Sequence, residues 1–307
     1  MRKVLIATEK PFARQAVDNI SAVFREAGYE MVLLENYKDP GDLLKAVEDV
    51  DALIVRSDLV NKDVIGAARK LAVVVRAGAG YDNIDLEAST EKDVVVMNTP
   101  GQNSNAVAEL AIGMMIYMAR NQFNGTSGTE LRGKTIGIHG CGNVGMNIAR
   151  IGRGLQMKVI GFCSYVGMDR LSFAGVKFVD TVENLYSKCQ YISLSIPANK
   201  DTIGMVNYDL LSLMPAPAVL VNAARKEVVD EASLLRMFEE RPDFKYLADI
   251  APDCAGEIAE KFPGRYFFTP KKMGAQTAEA NINAGIAAAR QIVAYFESGE
   301  TKYQVNK

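Results

Sequence analysis

One stretch narrows the fold of this chain more than any other. Gly140-Cys141-Gly142-Asn143-Val144-Gly145 follows directly on the apolar run Thr135–His139 and opens the helical pattern from Met146 to Leu155. A strand, a GxGxxG loop and a helix together form the start of a dinucleotide-binding βαβ unit. Gly140 allows the tight turn, Gly142 lets the backbone approach a pyrophosphate, and Gly145 lets the helix pack on the strand. The N–H groups of Asn143 and Val144 at the helix start then meet phosphate charge. Alone the motif is weak, so the context must carry it.

That context is an alternation of β-rich runs with helical patterns, the mark of parallel sheets joined by crossover helices. Before the loop come Lys3–Ala7, Met31–Leu34, Ala52–Val55, Ala72–Arg76 and Val94–Met97. A breaker-poor helix, Ala106 to Arg120, is capped by Asn103 or Ser104 and followed by the turn-rich Asn124–Thr129. From the loop onward come Thr135–His139, Lys158–Phe162, Tyr191–Ser195, Ala218–Asn222, Tyr246–Ile250 and Tyr266–Thr269, six strands in the manner of a doubly wound sheet. The last segment, Ala278 to Phe296, is an Ala-rich helix free to return to the first domain. The fold class expected is α/β: two doubly wound parallel-sheet domains, a flavodoxin-like substrate domain and a Rossmann dinucleotide domain, with an interdomain cleft. Residues 1–98 with 278–307 would form the first and 99–277 the second.

Composition excludes more than it assigns. At 307 residues the chain suits two domains, and a formal charge of -2 with no basic cluster gives no sign of nucleic acid or an anionic membrane. Cys141, Cys163, Cys189 and Cys254 lie far apart with no CxxC pair, so neither zinc nor a redox dithiol is indicated and no metal is expected. Unpaired thiols, a start without a signal-peptide pattern, and a longest apolar stretch of half a membrane span (Leu110 to Ala119) read as a cytoplasmic protein.

One feature of the nucleotide fingerprint is missing. An acid should close the second strand to hold the ribose 2′-OH, but the chain reads Phe162-Cys163-Ser164 there, and no Arg follows until Arg170. NAD is the cofactor expected, with NADP not excluded because Cys163 replaces that acid.

Three further blocks carry a resemblance. Val75-Arg76-Ala77-Gly78-Ala79-Gly80-Tyr81-Asp82-Asn83, Asn98-Thr99-Pro100-Gly101-Gln102-Asn103, and Val221-Asn222-Ala223-Ala224-Arg225 resemble the D-2-hydroxyacid dehydrogenase family, almost end to end. Within it, the chain looks most like the short phosphoglycerate-oxidising members. The resemblance implies oxidation of 3-phosphoglycerate to 3-phosphohydroxypyruvate, a step of serine biosynthesis, by a homodimer. It makes Arg225 the catalytic arginine, clamping the substrate carboxylate and polarising the keto oxygen. Gly78, Ala79 and Gly80 become a carboxylate cradle. Asp249 becomes a contact to the nicotinamide carboxamide, with Ala223 and Gly274 lining the cofactor. Arg56, with Ser57 and Asn103 beside it, becomes a phosphate site. Each has a plainer alternative: an interdomain salt bridge for Arg225, an ordinary turn at the glycines, solvated strand-end charges for Asp249 and Arg56.

The family's catalytic histidine is absent. The lone His139 adjoins the nucleotide loop and reads as a strand-end residue. Where the family has TPHxGA, this chain reads Thr269-Pro270-Lys271-Lys272-Met273-Gly274-Ala275, with Lys272 in the histidine slot and Lys271 as the inserted residue. The Glu that supports the histidine is absent as well, since Cys254 stands in its place. The two losses agree physically. A carboxylate serves an imidazole but would keep a lysine protonated, whereas a neighbouring guanidinium and partial burial favour the neutral amine. Lys272 is therefore expected to act as the acid/base, against the alternative of a basic surface loop. The chain has no Trp, and only Asn121 to Thr129 separates the long helix from the next block, a shorter link than relatives carry. Two other functions keep the same fold: reduction of glyoxylate, hydroxypyruvate or another unphosphorylated 2-keto acid, and a catalytically silent NAD(H)-sensing or corepressor-like role.

Overall fold

The computed structural model describes residues 1–163 and 175–307, so Ser164 and Arg170 lie outside the described residues. The chain separates into two compact units, Met1–Asn103 with Gln276–Lys307, and Ser104–Ala275. Residues 99–103 and 276–277 thus join the first unit, where sequence patterning put them with the second.

In the first unit, five strands lie in the order β2-β1-β3-β4-β5: β1 (Lys3–Thr8), β2 (Glu30–Glu35), β3 (Ala52–Val55), β4 (Val73–Arg76) and β5 (Val95–Asn98). Every pairing between them is parallel. This is the doubly wound order of flavodoxin-like sheets. Helices cover both faces, so β1 and β3 are continuous apolar runs rather than alternating ones. On one face, Ile20 and Phe24 of helix Arg14–Glu26 pack with Ala284, Ala288 and Ile292 of helix Ala278–Ser298. Thr277 caps the latter through the Ala280 N–H, and Gly299 ends it in a left-handed conformation. Asp39, Asn61 and Asp85 cap the three short helices of this unit. The edge strand β5 is covered in turn by the C-terminal segment, where Val305 donates to Val96 and Asn306 bonds both Val94 and Val96.

The second unit holds seven parallel strands in the order β12-β11-β10-β9-β6-β7-β8: β6 (Thr135–His139), β7 (Lys158–Phe162), β8 (Lys177–Phe178), β9 (Tyr191–Leu194), β10 (Val219–Asn222), β11 (Lys245–Ala248) and β12 (Tyr266–Phe268). The order reverses between β6 and β9, which is where doubly wound sheets bind nucleotides. Sequence patterning gives six strands here; the seventh, β8, is a two-residue pairing on the edge. Two apolar clusters fill the two faces of the sheet. One contains Met115, Ile136 and Ile148, the other Leu194, Phe238 and Tyr246. The long helix spans Ser104–Ala119, and the helix after the glycine loop spans Asn143–Gly154, starting three residues earlier than its apolar pattern. Among the described residues no helix is long and apolar enough to cross a membrane, and no group of His, Cys, Asp and Glu could hold a metal ion.

Candidate functional site

The glycine loop stands at the point where the second sheet reverses. Gly140 has φ +98, and its N–H donates to the Phe162 carbonyl at 2.9 Å, tying the loop to the end of β7. A Cβ on Gly145 would stand 2.0 Å from the Gly140 carbonyl oxygen, so helix Asn143–Gly154 can approach the turn only with glycine there. Among the described residues nothing would lie within 4 Å of a Cβ on Gly142. The loop is tight below and open above, with Asn143 exposed and Val144 half-buried at the helix start. Beside it, the Ser195 hydroxyl is buried and has no hydrogen-bond partner among the described residues, while the Ser195 backbone donates to His139.

His139 ends β6 beneath the loop. Its ring lies edge-on to Phe162 and Tyr186, its Nδ1 is 3.2 Å from the Tyr186 hydroxyl, and burial pushes its pKa down to about 4. An imidazole held neutral inside aromatic packing belongs to the core, as its strand-end position suggests. Cys163 packs half-buried at the end of β7 against the cluster that contains Cys141. Burial raises the Cys141 thiol to about 12, which leaves it inert at neutral pH.

Arg225 follows β10 in a turn built by Asn222. The Asn222 amide donates to the Arg225 carbonyl at 2.8 Å and its oxygen accepts from Ala224 at 3.0 Å, which also shapes the backbone at Ala223. The Arg225 guanidinium is half-buried and donates to the Ala224 carbonyl. Among the described residues of its own unit, no carboxylate lies within ion-pair distance of it.

Asp249 follows β11 and is 3% exposed, which removes the alternative of a solvated charge. Its Oδ1 accepts from the Thr269 hydroxyl at 3.0 Å and from the Met273 N–H at 2.7 Å, and its Oδ2 accepts from the Gly274 N–H at 2.7 Å. Lys271 and Lys272 lie between these anchors and both are exposed, so the partial burial expected of Lys272 is not met: the turn that carries it stands at the surface of the second unit. Cys254 stands where a supporting Glu would be, and the carboxylate nearby comes instead from Glu231. That group accepts from the N–H groups of Asp253 and Cys254, so it is spent on the backbone.

In the first unit a separate set of polar groups gathers at the C-terminal ends of β3, β4 and β5. Gly78 is buried, Ala79 and Gly80 are half-buried, and Ser57 is exposed. Asn98 donates to the Ala79 carbonyl at 2.6 Å, and Thr99 to the Gly78 carbonyl at 2.9 Å, which fixes the backbone at Gly78–Gly80. Arg56 donates to the carbonyls of Lys10 and Pro11 and, at 2.6 Å, to Asn281. Burial lowers its pKa. Arg76, which the sequence reading left without a role, lays its guanidinium over Gly78, where a Cβ would meet Nη1 at 1.6 Å. Its Nε donates to the Arg56 carbonyl. Asn103 ends the first of this unit's two segments, half-buried.

These features agree with what the chain is similar to. Residues 6–306 match the family described as D-isomer specific 2-hydroxyacid dehydrogenase, catalytic domain. D-3-phosphoglycerate dehydrogenase of Archaeoglobus fulgidus is 32% identical over 95% of this chain and 56% of its own length. The enzyme of the same name from Methanocaldococcus jannaschii is 34% identical over 82% of this chain and 51% of its own. The chain thus spans about half the length of these curated relatives. The crystal structure of NAD+-bound 3-phosphoglycerate dehydrogenase in Entamoeba histolytica is 45% identical, with a TM-score of 0.86, covering 100% of this chain and 99% of that one. D-lactate dehydrogenase from Escherichia coli shares the fold at 22% identity and a TM-score of 0.77.

Proposed function

The chain belongs to the D-isomer specific 2-hydroxyacid dehydrogenase family, and from that premise we propose that it oxidises 3-phosphoglycerate to 3-phosphohydroxypyruvate with NAD, the entry step of serine biosynthesis. The observation that carries the reading is the full-length likeness to an NAD+-bound 3-phosphoglycerate dehydrogenase. The residues present fit a dinucleotide on two counts: the open face above Gly142 and the orphaned hydroxyl of Ser195 beside Gly140. Asn143, Val144 and Gly145 would offer N–H groups to the pyrophosphate. Cys163, which neither grips a ribose diol nor repels a 2′-phosphate, would leave NAD favoured only mildly over NADP.

The bound nicotinamide supplies only the acceptor for the C2 hydrogen, which leaves as hydride. Arg225 would hold the substrate carboxylate through its planar fork and polarise the C2 oxygen. Lys272, entering as the neutral amine, would take the hydroxyl proton onto Nζ and return it in keto reduction. Oxidation then runs faster at alkaline pH. Gly78, Ala79 and Gly80 would cradle the carboxylate, and Arg56, Ser57 and Asn103 the phosphate. Following reduced-nicotinamide absorbance with 3-phosphohydroxypyruvate and each cofactor tests the whole reading. Lys272→Ala should lower kcat by roughly 10²–10⁴; an unchanged kcat would strip Lys272 of the role.

One observation favours a second substrate class. The Arg56 donors already serve Lys10, Pro11 and Asn281, so an unphosphorylated 2-keto acid such as glyoxylate or hydroxypyruvate belongs in the same assay. A homodimer is also proposed. Its support is apolar surface on the second unit, where Phe123 is 66% and Ile116 37% exposed. Sedimentation equilibrium giving only monomer at micromolar concentration would remove it.

A further inference from the structure

Asp249 does not stand at the end of β11 as an isolated strand-end acid. Its three hydrogen bonds come from residues on either side of the two lysines: Thr269 before them, Met273 and Gly274 after. Thr269 is itself 4% exposed and fastened to the sheet through its N–H to the Ala248 carbonyl at 3.1 Å. One buried carboxylate therefore closes the turn 269–274 at both ends, with Lys271 and Lys272 outermost. The closure needs glycine at 274, since a Cβ there would stand 2.8 Å from Oδ2 and 3.1 Å from the Val107 side chain. Two of the three bonds join a carboxylate to backbone N–H groups, the stronger, charge-assisted kind. Buried acceptors satisfied from a single turn resist displacement, because each lost bond leaves a buried polar atom unpaired.

We infer that Asp249 is a positioning residue: its carboxylate fixes the 269–274 turn and so sets where the Lys272 amine stands. The inference rests on the assignment of proton transfer to Lys272. It differs from the carboxamide contact implied by the family resemblance, because it makes Thr269, which that contact does not involve, part of the same device. In this chain no imidazole is held by a carboxylate; the carboxylate holds the backbone that carries the amine. A lysine side chain has four rotatable bonds, so a fixed backbone narrows the space its amine can reach.

The test uses Asp249→Asn, which turns an amide N–H toward a backbone N–H, and Thr269→Val, which removes the hydroxyl and keeps the shape. Both should lower kcat roughly tenfold or more while the NAD dissociation constant stays within about threefold. Both should shift the alkaline limb of the kcat–pH profile that Lys272 governs. Trypsin should cut after Lys271 and Lys272 roughly tenfold faster than in the unaltered chain, since the freed turn opens more often. Thr269→Ser, which restores the hydroxyl, should return all three readouts to the original values. Thermal melts of each variant show that the fold is kept. If Thr269→Val behaves as the unaltered chain in rate, pH profile and cleavage while Asp249→Asn loses NAD affinity, Asp249 is a cofactor contact and the inference is overturned. If the unaltered chain turns over no 2-keto acid, the functional reading falls, whereas the cleavage rates still decide whether Asp249 holds the turn.

Discussion

Two arginines end neighbouring strands of the first sheet and differ in what they are bound to. Arg56 is gripped by Lys10, Pro11 and Asn281 and sits at 5.0 Å over the Phe12 ring. Arg76 reaches over Gly78, where only the lack of a side chain admits a guanidinium. If Arg56 holds a phosphate, Arg56→Ala should raise KM for 3-phosphohydroxypyruvate roughly tenfold more than for hydroxypyruvate, about 1.4 kcal/mol of selective binding. Equal effects on the two acids would show that Arg56 only braces the Lys10–Pro11 backbone. At this scale the sequence made the residue types legible but not their partners. Arg76 sits in plain view in Val75–Arg76–Ala77–Gly78, yet a strand-end arginine reads as solvated charge until the close approach to Gly78 is known. Asp249 is marked as a candidate site residue by the family resemblance. Its bonds to Thr269, Met273 and Gly274 are not, because they depend on how one turn folds back over the end of β11.

Elements were more legible than contacts, for a physical reason. Strands buried on both faces are continuous apolar runs, and Ala52–Val55 and Thr135–His139 can be bounded to the residue from sequence. β8 escapes because two residues on a sheet edge carry no period. Helix Asn143–Gly154 starts ahead of its apolar pattern because its first turn grows out of the glycine loop, where backbone geometry rather than side-chain burial sets the start. The end of β6 yields a prediction of its own. His139 titrates near 4 in the fold, against about 6.5 in an unfolded chain. The folded state therefore binds fewer protons between those values. Stability is full above the upper value and is lost as pH falls toward the lower, by about 3 kcal/mol in all. His139→Phe, which keeps an aromatic ring against Phe162 and Tyr186, should lack this part of the decline. Urea midpoints measured from pH 7.5 down to pH 4 should separate the two proteins progressively. Parallel curves would mean that the imidazole is reached by water in the fold.

At the scale of the whole molecule the two units differ in how the chain builds them. The first needs two distant segments, because helix Ala278–Ser298 supplies Ala284, Ala288 and Ile292 to a cluster otherwise drawn from the first hundred residues. The second is continuous, Ser104–Ala275, and both of its apolar clusters are made from its own residues. A stretch of that size with a complete seven-stranded sheet has the means to fold alone. It also carries the whole nucleotide loop, Ser195, Arg225, Asp249 and Lys272, and none of the cradle at Gly78–Gly80. The fragment 104–275 should therefore melt cooperatively and bind NAD within about tenfold of the affinity of the full chain, yet turn over no 2-keto acid. Calorimetry, NAD titration and the absorbance assay on one preparation separate these outcomes. A fragment that melts cooperatively but binds no NAD would show that residues of the first unit take part in holding the cofactor. One that fails to melt cooperatively would show that the two clusters are not a sufficient core on their own.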